Sequence, residues 1–238
     1  MFNGKKVSLV LPAYNEEEGV LNAINDFQRV ALVDEIIVVD NNSTDNTPEL
    51  IKQTNAKYIL EQVQGYGSAI KRGLRESSGD IIVVTEPDGS FSANDLERLL
   101  DYTKNYDCVF GSRTFKNYIE KGAKMNFLLR LGNIIVAKFL SILFLKNNFT
   151  DVGCTYKVFS RDSYNLIKDE LQVNGSELQP EIMIRILLKK QKIIEVPVIY
   201  RERSGQSKIT KNFIATAVLA LKMIKLIILL RVKSFYEK

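Results

Sequence analysis

The chain has 238 residues, 45% hydrophobic, 26% charged and 9% aromatic, which excludes a wholly disordered protein and suits one large domain with at most a short appendage. Lys and Arg number 33 against 28 Asp and Glu, a net charge of +5 that favours anionic partners such as nucleotides, phosphates or acidic lipids. Histidine is absent, which removes Ser-His-Asp and Cys-His catalysis, His-ligated zinc and the usual neutral-pH proton shuttle.

The N-terminus, MFNGKKVSLVLPAY, carries too short an apolar run and no small-residue cleavage site for a signal peptide, so export is not expected. VSLVL (7–11) is an unbroken apolar run, followed by a polar turn and the helix-periodic EEEGVLNAINDF (16–27). EIIVV (35–39) is the next run, closed by the turn-rich DNNSTDNT (40–47), with PELIKQT opening a helix. A weaker strand, KYIL, precedes GYGSAIKRGLRE, after which DIIVV (80–84), the loop TEPDGSF, a helix at NDLERLLDYTK and the strand DCVFG complete the first 110 residues. Unbroken β-branched runs suit strands buried on both faces. Their alternation with helices predicts an α/β fold with a mainly parallel sheet joined by right-handed crossovers. Cys108 and Cys154 are far apart in sequence, form no CxxC and read as reduced thiols of a cytosolic protein.

Beyond residue 115 the texture changes. Residues 125–145, MNFLLRLGNIIVAKFLSILFL, form a long apolar stretch. At ~100° per residue, positions 130, 133, 137 and 141 fall on one stripe and the rest is apolar. DVGCTYKVFS reads as a strand or loop return, ELQPEIMIRILLKK as a helix and KIIEVPVIYRER as a strand. In the tail, KNFIATAVLALKMIKLIILLRVK (211–233), Lys211, Lys222 and Lys233 recur every eleven residues, with Lys225 on the same face and Arg231 pointing away. A membrane-spanning tail would set Lys222 and Lys225 near mid-bilayer, at roughly 2.5–3.5 kcal/mol each. A helix lying in the interface keeps those ammonium groups wet, so both amphipathic segments are expected at a membrane surface. The expected organisation is an α/β domain over 1–210, with an amphipathic insertion at about 125–146, and a C-terminal amphipathic helix over 211–238.

In an open parallel sheet, ligands bind beyond the carboxyl ends of the strands. Pro12, Ala13, Tyr14, Asn15 and Glu16 follow the first strand, Asp40 and Asn41 the second, and Glu86, Pro87, Asp88 and Gly89 the fourth. Two carboxylates on alternate residues, Glu86 and Asp88, can bracket a divalent cation. Mg²⁺ or Mn²⁺ takes one or two carboxylates together with substrate phosphates and would neutralise a departing diphosphate. Asp40 could accept hydrogen bonds from a ribose or base, and Gly67, in the Gly65-Tyr66-Gly67 helix opening, could bring backbone N–H groups close to a ligand. The acidic turn PAYNEEEG has no GxGxxG, which argues against a dinucleotide cofactor.

LPAYNEEEGV, VVDNNSTDNT, GYGSAIKRGL, TEPDGSF, FGSR and EVPVIYRERSGQSK, in this order, resemble the family 2 glycosyltransferases of GT-A fold, and most nearly the dolichyl-phosphate mannose synthase-like enzymes. The resemblance covers nearly the whole chain. It implies that Pro12, Tyr14, Glu16 and Asp40 hold the nucleotide of an activated sugar. It implies that Asp88 is the metal-binding carboxylate of a DxD motif, with Glu86 standing where the first Asp usually stands. Arg113 and Arg130 match basic residues near the reacting phosphates, and Arg203 and Lys208 match an RxxGxSK-like loop that closes over donor and acceptor.

The implied reaction is inverting transfer of a hexose from a nucleotide-diphosphate sugar to a polyprenyl phosphate. That acceptor is already an anion and needs no general base, which fits a chain without histidine. The implied setting is the cytoplasmic face of a membrane, with a peripheral attachment or a membrane-protein partner and no nucleic acid. A hydroxyl acceptor would instead require a carboxylate base, for which Asp151 or Glu181 could serve. A third reading is a catalytically silent membrane-associated subunit.

Overall fold

All seven side chains of the first strand, β1 (Val7–Ala13), are buried, as its unbroken aliphatic run requires of a strand covered on both faces. The computed structural model describes residues 1–123, 125, 127–144, 148–205 and 213–236. The elements that follow are α1 (Val20–Arg29), β2 (Glu35–Asp40), α2 (Thr47–Lys52), β3 (Lys57–Leu60), α3 (Tyr66–Glu76), β4 (Ile81–Val84), α4 (Asp95–Tyr102) and β5 (Cys108–Ser112). The second half holds α5 (Phe127–Phe144), β6 (Lys157–Ser160), α6 (Arg161–Ile167), α7 (Leu178–Leu188), β7 (Ile193–Pro197) and α8 (Phe213–Tyr236).

The sheet runs in the order β3-β2-β1-β4-β6-β5-β7. β1 pairs in parallel with β2 and with β4, so the direction of winding reverses between β1 and β4. A crevice opens at such a reversal, at the carboxyl ends of the strands. β6 alone runs antiparallel, between β4 and β5. The residues that lead into it, 151–156, therefore lie at the same end of the sheet as the residues that leave β4 and β5.

Alternate side chains of β1 feed two cores. Val7, Leu9 and Leu11 pack with α1, α2 and α4 on one face. Val10 packs with α3, α5, α6, α7 and α8 on the other. The C-terminal helix α8 belongs to this second core through Met223, Ile227 and Leu230.

Three local features depart from the sequence reading. The helix expected over 16–27 begins at Val20, because the acidic turn ahead of it is laced to the loop after β2: Glu16 N donates to Thr47 Oγ1 at 2.8 Å and Asn46 N to Glu17 Oε2 at 3.0 Å. Helix α6, capped by the Ser160 side chain accepting from Ser163 N, had no counterpart in the expected elements. On α5 the stripe of 130, 133, 137 and 141 is turned inward, opposite to a wet polar face. Ala137 and Ser141 are buried, and the Ser141 hydroxyl donates to Ala137 O and accepts from Phe149 N. The outward face is apolar instead, with Leu128, Leu131, Ile135 and Ile142 exposed.

Candidate active site

Asp88 anchors the loop after β4. Its Oδ1 accepts from Ser90 N at 2.9 Å, and its carbonyl accepts from Ser204 N at 2.8 Å, which docks the segment after β7 onto the acidic loop. Arg203, on that segment, stands with Nη2 3.0 Å from Asp88 Oδ2 and 3.5 Å from Glu16 Oε1. The approach to Oδ2 lacks hydrogen-bond alignment, so this buried carboxylate oxygen has a charge partner but no donor. Burial opposes the charge on Arg203, but Asp88, Glu86 and Glu16 outweigh it and raise its pKa.

Glu86 is held by two hydroxyls. Tyr66 Oη and Thr155 Oγ1 both donate to Glu86 Oε1, at 2.9 and 2.7 Å, and touch each other. Two hydroxyl protons thus serve three oxygen–oxygen contacts. Burial, then the charge of Asp88, raises the Glu86 carboxyl to about 7.

Arg113 leaves β5 and forms a two-pronged ion pair with buried Asp151: Nε to Oδ2 and Nη2 to Oδ1, each at 2.9 Å. Burial alone would raise Asp151, but the Arg113 charge and the hydrogen bonds from Arg113 and Gly153 hold it below the usual carboxylate range. The Arg113 guanidinium lies 5.5 Å from the Tyr200 ring centroid.

Two cavities meet here. One is lined by the strand-end loops, including Pro12, Tyr14, Glu16, Asn41 and Asp88. The other starts at Arg113, Asn133 and Gly153 and runs between Leu129 and Val136 of α5 and Leu219 and Met223 of α8. Tyr66, Glu86 and Arg203 line both. Pro12, Tyr14, Glu16, Glu86, Asp88, Arg113 and Arg203 are therefore brought together.

Asp40 is buried behind the first cavity, where Oδ1 accepts from Ser43 N and Oδ2 from Tyr58 Oη; its neighbour Asn41 forms the wall. Gly67 is a correction. Its N–H is taken by the Asn174 carbonyl at 2.7 Å, and a Cβ there would sit 2.7 Å from Gly175 O, so this glycine serves chain packing and not a ligand. Arg130 shares the inward stripe of Asn133 and is half-buried, but the α5 residues that line the cavity are Leu129, Gly132, Asn133 and Val136. Lys208 lies outside the described residues.

Asp151 and Glu181, the candidate bases, are both committed elsewhere. Asp151 is neutralised by Arg113, and Glu181 accepts from the backbone N–H groups of Gln172 and Val173. Tyr66, Thr155, Asn133 and Tyr200 were not singled out. Tyr66 fell within a quoted segment and Asn133 interrupts an apolar helix; Thr155 carries no sequence signal, because only the reversed strand β6 brings it to Glu86.

Among the described residues no cluster of three or more His, Cys, Asp or Glu side chains could hold a metal. The donor set suits a hard divalent cation completed by substrate oxygens: Asp88 Oδ2 is buried without a hydrogen-bond donor and Glu86 keeps Oε2 beyond its hydroxyl clamp.

The family model of glycosyl transferase family 2 matches residues 8–167. A dolichyl-phosphate hexose transferase of Haloferax volcanii is 30% identical over 205 residues, covering 85% of this chain and 86% of that protein. An undecaprenyl-phosphate mannosyltransferase of Micrococcus luteus is 27% identical, covering 90% of this chain and 91% of that one. Three further relatives are longer, and the chain spans 49%, 65% and 34% of their lengths. Among solved structures, glucosyl-3-phosphoglycerate synthase from Mycobacterium tuberculosis, in complex with Mn²⁺, uridine diphosphate and glucosyl-3-phosphoglycerate, matches with a TM-score of 0.74. It is 19% identical and covers 96% of this chain and 80% of its own.

Proposed function

We propose, from the premise that this chain belongs to glycosyl transferase family 2, that it transfers a hexose from a nucleotide-diphosphate sugar to a polyprenyl phosphate at a membrane surface. The observation that carries this reading is the meeting of two unlike cavities at Tyr66, Glu86 and Arg203. One is framed by acidic and polar strand-end loops and suits a nucleotide sugar. The other has a guanidinium at its head and apolar walls from two helices, the shape and polarity of an isoprenoid phosphate. The names of the relatives from Haloferax and Micrococcus support the same acceptor class.

The chain's own residues account for the chemistry. Arg113, fixed by Asp151, faces the acceptor phosphate with the donors that its ion pair leaves over. Arg203, poised between Glu16 and Asp88, is within reach of both substrates. The acceptor oxygen is already ionised, so attack on the anomeric carbon requires no base, in keeping with the commitment of Asp151 and Glu181 to structural partners. A single displacement inverts the anomeric centre, and orientation of two bound substrates supplies much of the acceleration. Mg²⁺ or Mn²⁺, held by Asp88 with Glu86 beside it, would stabilise charge on the departing diphosphate.

The exposed faces of α5 and α8 support attachment to a membrane. α5 is long and apolar enough to cross one by length and composition, with a mean hydropathy of 1.9, yet its Val136, Leu140 and Phe144 belong to the protein core. Its free face, with Ile214, Val218, Leu221, Ile228 and Leu229 of α8, is suited to rest in the lipid interface. The unpaired, buried Cys108 and Cys154 accord with the cytoplasmic face.

Competing acceptors test the reading. With each nucleotide sugar of a panel and Mn²⁺, transfer to farnesyl phosphate is expected and transfer to farnesol or to a free sugar hydroxyl is not. Efficient transfer to a hydroxyl and none to the phosphate would overturn it.

A further inference from the structure

Lys157 and Gln179 face each other beneath the second cavity. Lys157 lies on β6, in register with Val84 of β4 and Phe110 of β5, and is 1% exposed. Its Nζ donates to the Cys154 carbonyl and, at 2.6 Å, to Gln179 Oε1. The Phe110 ring centroid is 5.5 Å away. Among the described residues no carboxylate lies within ion-pair distance of this ammonium. Burying a charge without a counter-charge is costly.

A lysine ammonium has three donors and no acceptor. It therefore decides which end of the Gln179 amide it meets: the oxygen is committed to Lys157, and the NH₂ is turned away from it. Gln179 is 2% exposed, yet it lines the same cavity as Arg113, Tyr200 and Arg203. Among the described residues nothing accepts from its Nε2. A cation bound to an amide oxygen also polarises the amide and strengthens the N–H groups as donors.

We propose that Gln179 Nε2 donates to a non-attacking oxygen of the acceptor phosphate, and that Lys157 is the positioning residue that holds the amide in this sense. The inference rests on the polyprenyl-phosphate reading above. It adds a neutral donor to the guanidinium groups of Arg113 and Arg203.

Lys157 also braces the loop that carries Asp151 and Thr155, so the test must separate the two roles. Kinetics with varied farnesyl phosphate at saturating nucleotide sugar are compared for wild type, Gln179→Leu, Lys157→Met and the double variant. The acceptor KM is expected to rise about 10-fold or more in each single variant, as for loss of a hydrogen bond to a charged group, with kcat and donor KM within about two-fold. The double variant is expected to be no worse than the weaker single one, the mark of one shared interaction. Changes in donor KM and kcat in place of acceptor KM would reduce Lys157 to a brace for Thr155 and Asp151, and effects that multiply in the double variant would overturn the coupling.

Calorimetric binding of farnesyl phosphate separates this inference from the reaction it rests on. Binding that Gln179→Leu weakens, without any transfer by wild type, retains the contact and overturns the reaction. Equal binding by wild type and Gln179→Leu overturns the contact whatever the turnover, and no binding by wild type overturns both. Should Lys157→Met fail to fold, Gln179→Glu decides. Its carboxylate would pair with Lys157 and oppose the phosphate, so acceptor binding should be lost while nucleotide-sugar binding persists; retained acceptor binding would overturn the proposal.

Discussion

A methyl group added at Gly153 would sit 2.9 Å from Asn133 Oδ1 and 3.0 Å from Arg113 Nη2. Neither neighbour can retreat freely, since Arg113 is pinned by Asp151. Gly153→Ala is therefore expected to displace the guanidinium and lower kcat/KM by about 100-fold, the cost of a displacement near 1 Å at a reacting centre, with little change in melting temperature; normal kinetics would remove Arg113 from the acceptor site. Asp88→Ala is expected to cut turnover by about a thousand-fold while circular dichroism stays native, and near-normal rates would remove the metal from the account. Lys157 gives a pH signature. Burial lowers its pKa to about 8, so between pH 8 and the unfolded value of ~10.4 the unfolded chain binds a proton that the folded chain has released. Stability from this group therefore rises with pH across that window, and below it the burial cost is constant at its largest. The change in stability on Lys157→Met should be more favourable at pH 7 than at pH 9.5 by roughly 2 kcal/mol in urea unfolding; a change that does not vary with pH would contradict the buried ammonium. At this scale the strand-end residues Glu16, Glu86 and Asp88 were legible, because a parallel sheet brings its carboxyl ends together. Gly67 was not: a glycine at a helix opening permits close approach, and sequence does not say whether ligand or chain does the approaching.

Helices α5 and α8 show what periodicity can and cannot settle. The stripe of 130, 133, 137 and 141 exists, but a stripe has no sign, and here Ala137 is small enough to bury and Ser141 satisfies its hydroxyl internally. The apolar residues, being more numerous, were left for the outside. On α8, Lys222 reaches Glu177 at 3.9 Å, and both Lys222 and Lys225 are exposed beside Leu221 and Leu229. Each basic residue near an anionic surface contributes about 1 kcal/mol, so Lys222→Glu with Lys225→Glu should weaken binding to anionic vesicles by roughly 30-fold or more. Unchanged sedimentation with vesicles would return α8 to ordinary packing.

Across the molecule, the alternation of apolar runs with helical periods made the α/β architecture legible, and β1 through β4 fall where those runs lie. The reversed strand β6 did not announce itself, since antiparallel and parallel strands buried on both faces have the same composition. Its direction is what carries Asp151 to Arg113 and Thr155 to Glu86, so half of the site depends on a topological choice invisible in any one segment. Two joined cavities result, one among strand-end loops, proposed for the donor, and one between α5 and α8, proposed for the acceptor. The most direct test incubates the purified chain with radiolabelled nucleotide sugars, undecaprenyl phosphate in vesicles and Mg²⁺ or Mn²⁺, with a chelator as control, and counts the extracted lipid phase. Metal-dependent label in the lipid is expected with at least one sugar. Label that stays in water with every donor, or that reaches lipid equally well in the chelator, would contradict this expectation.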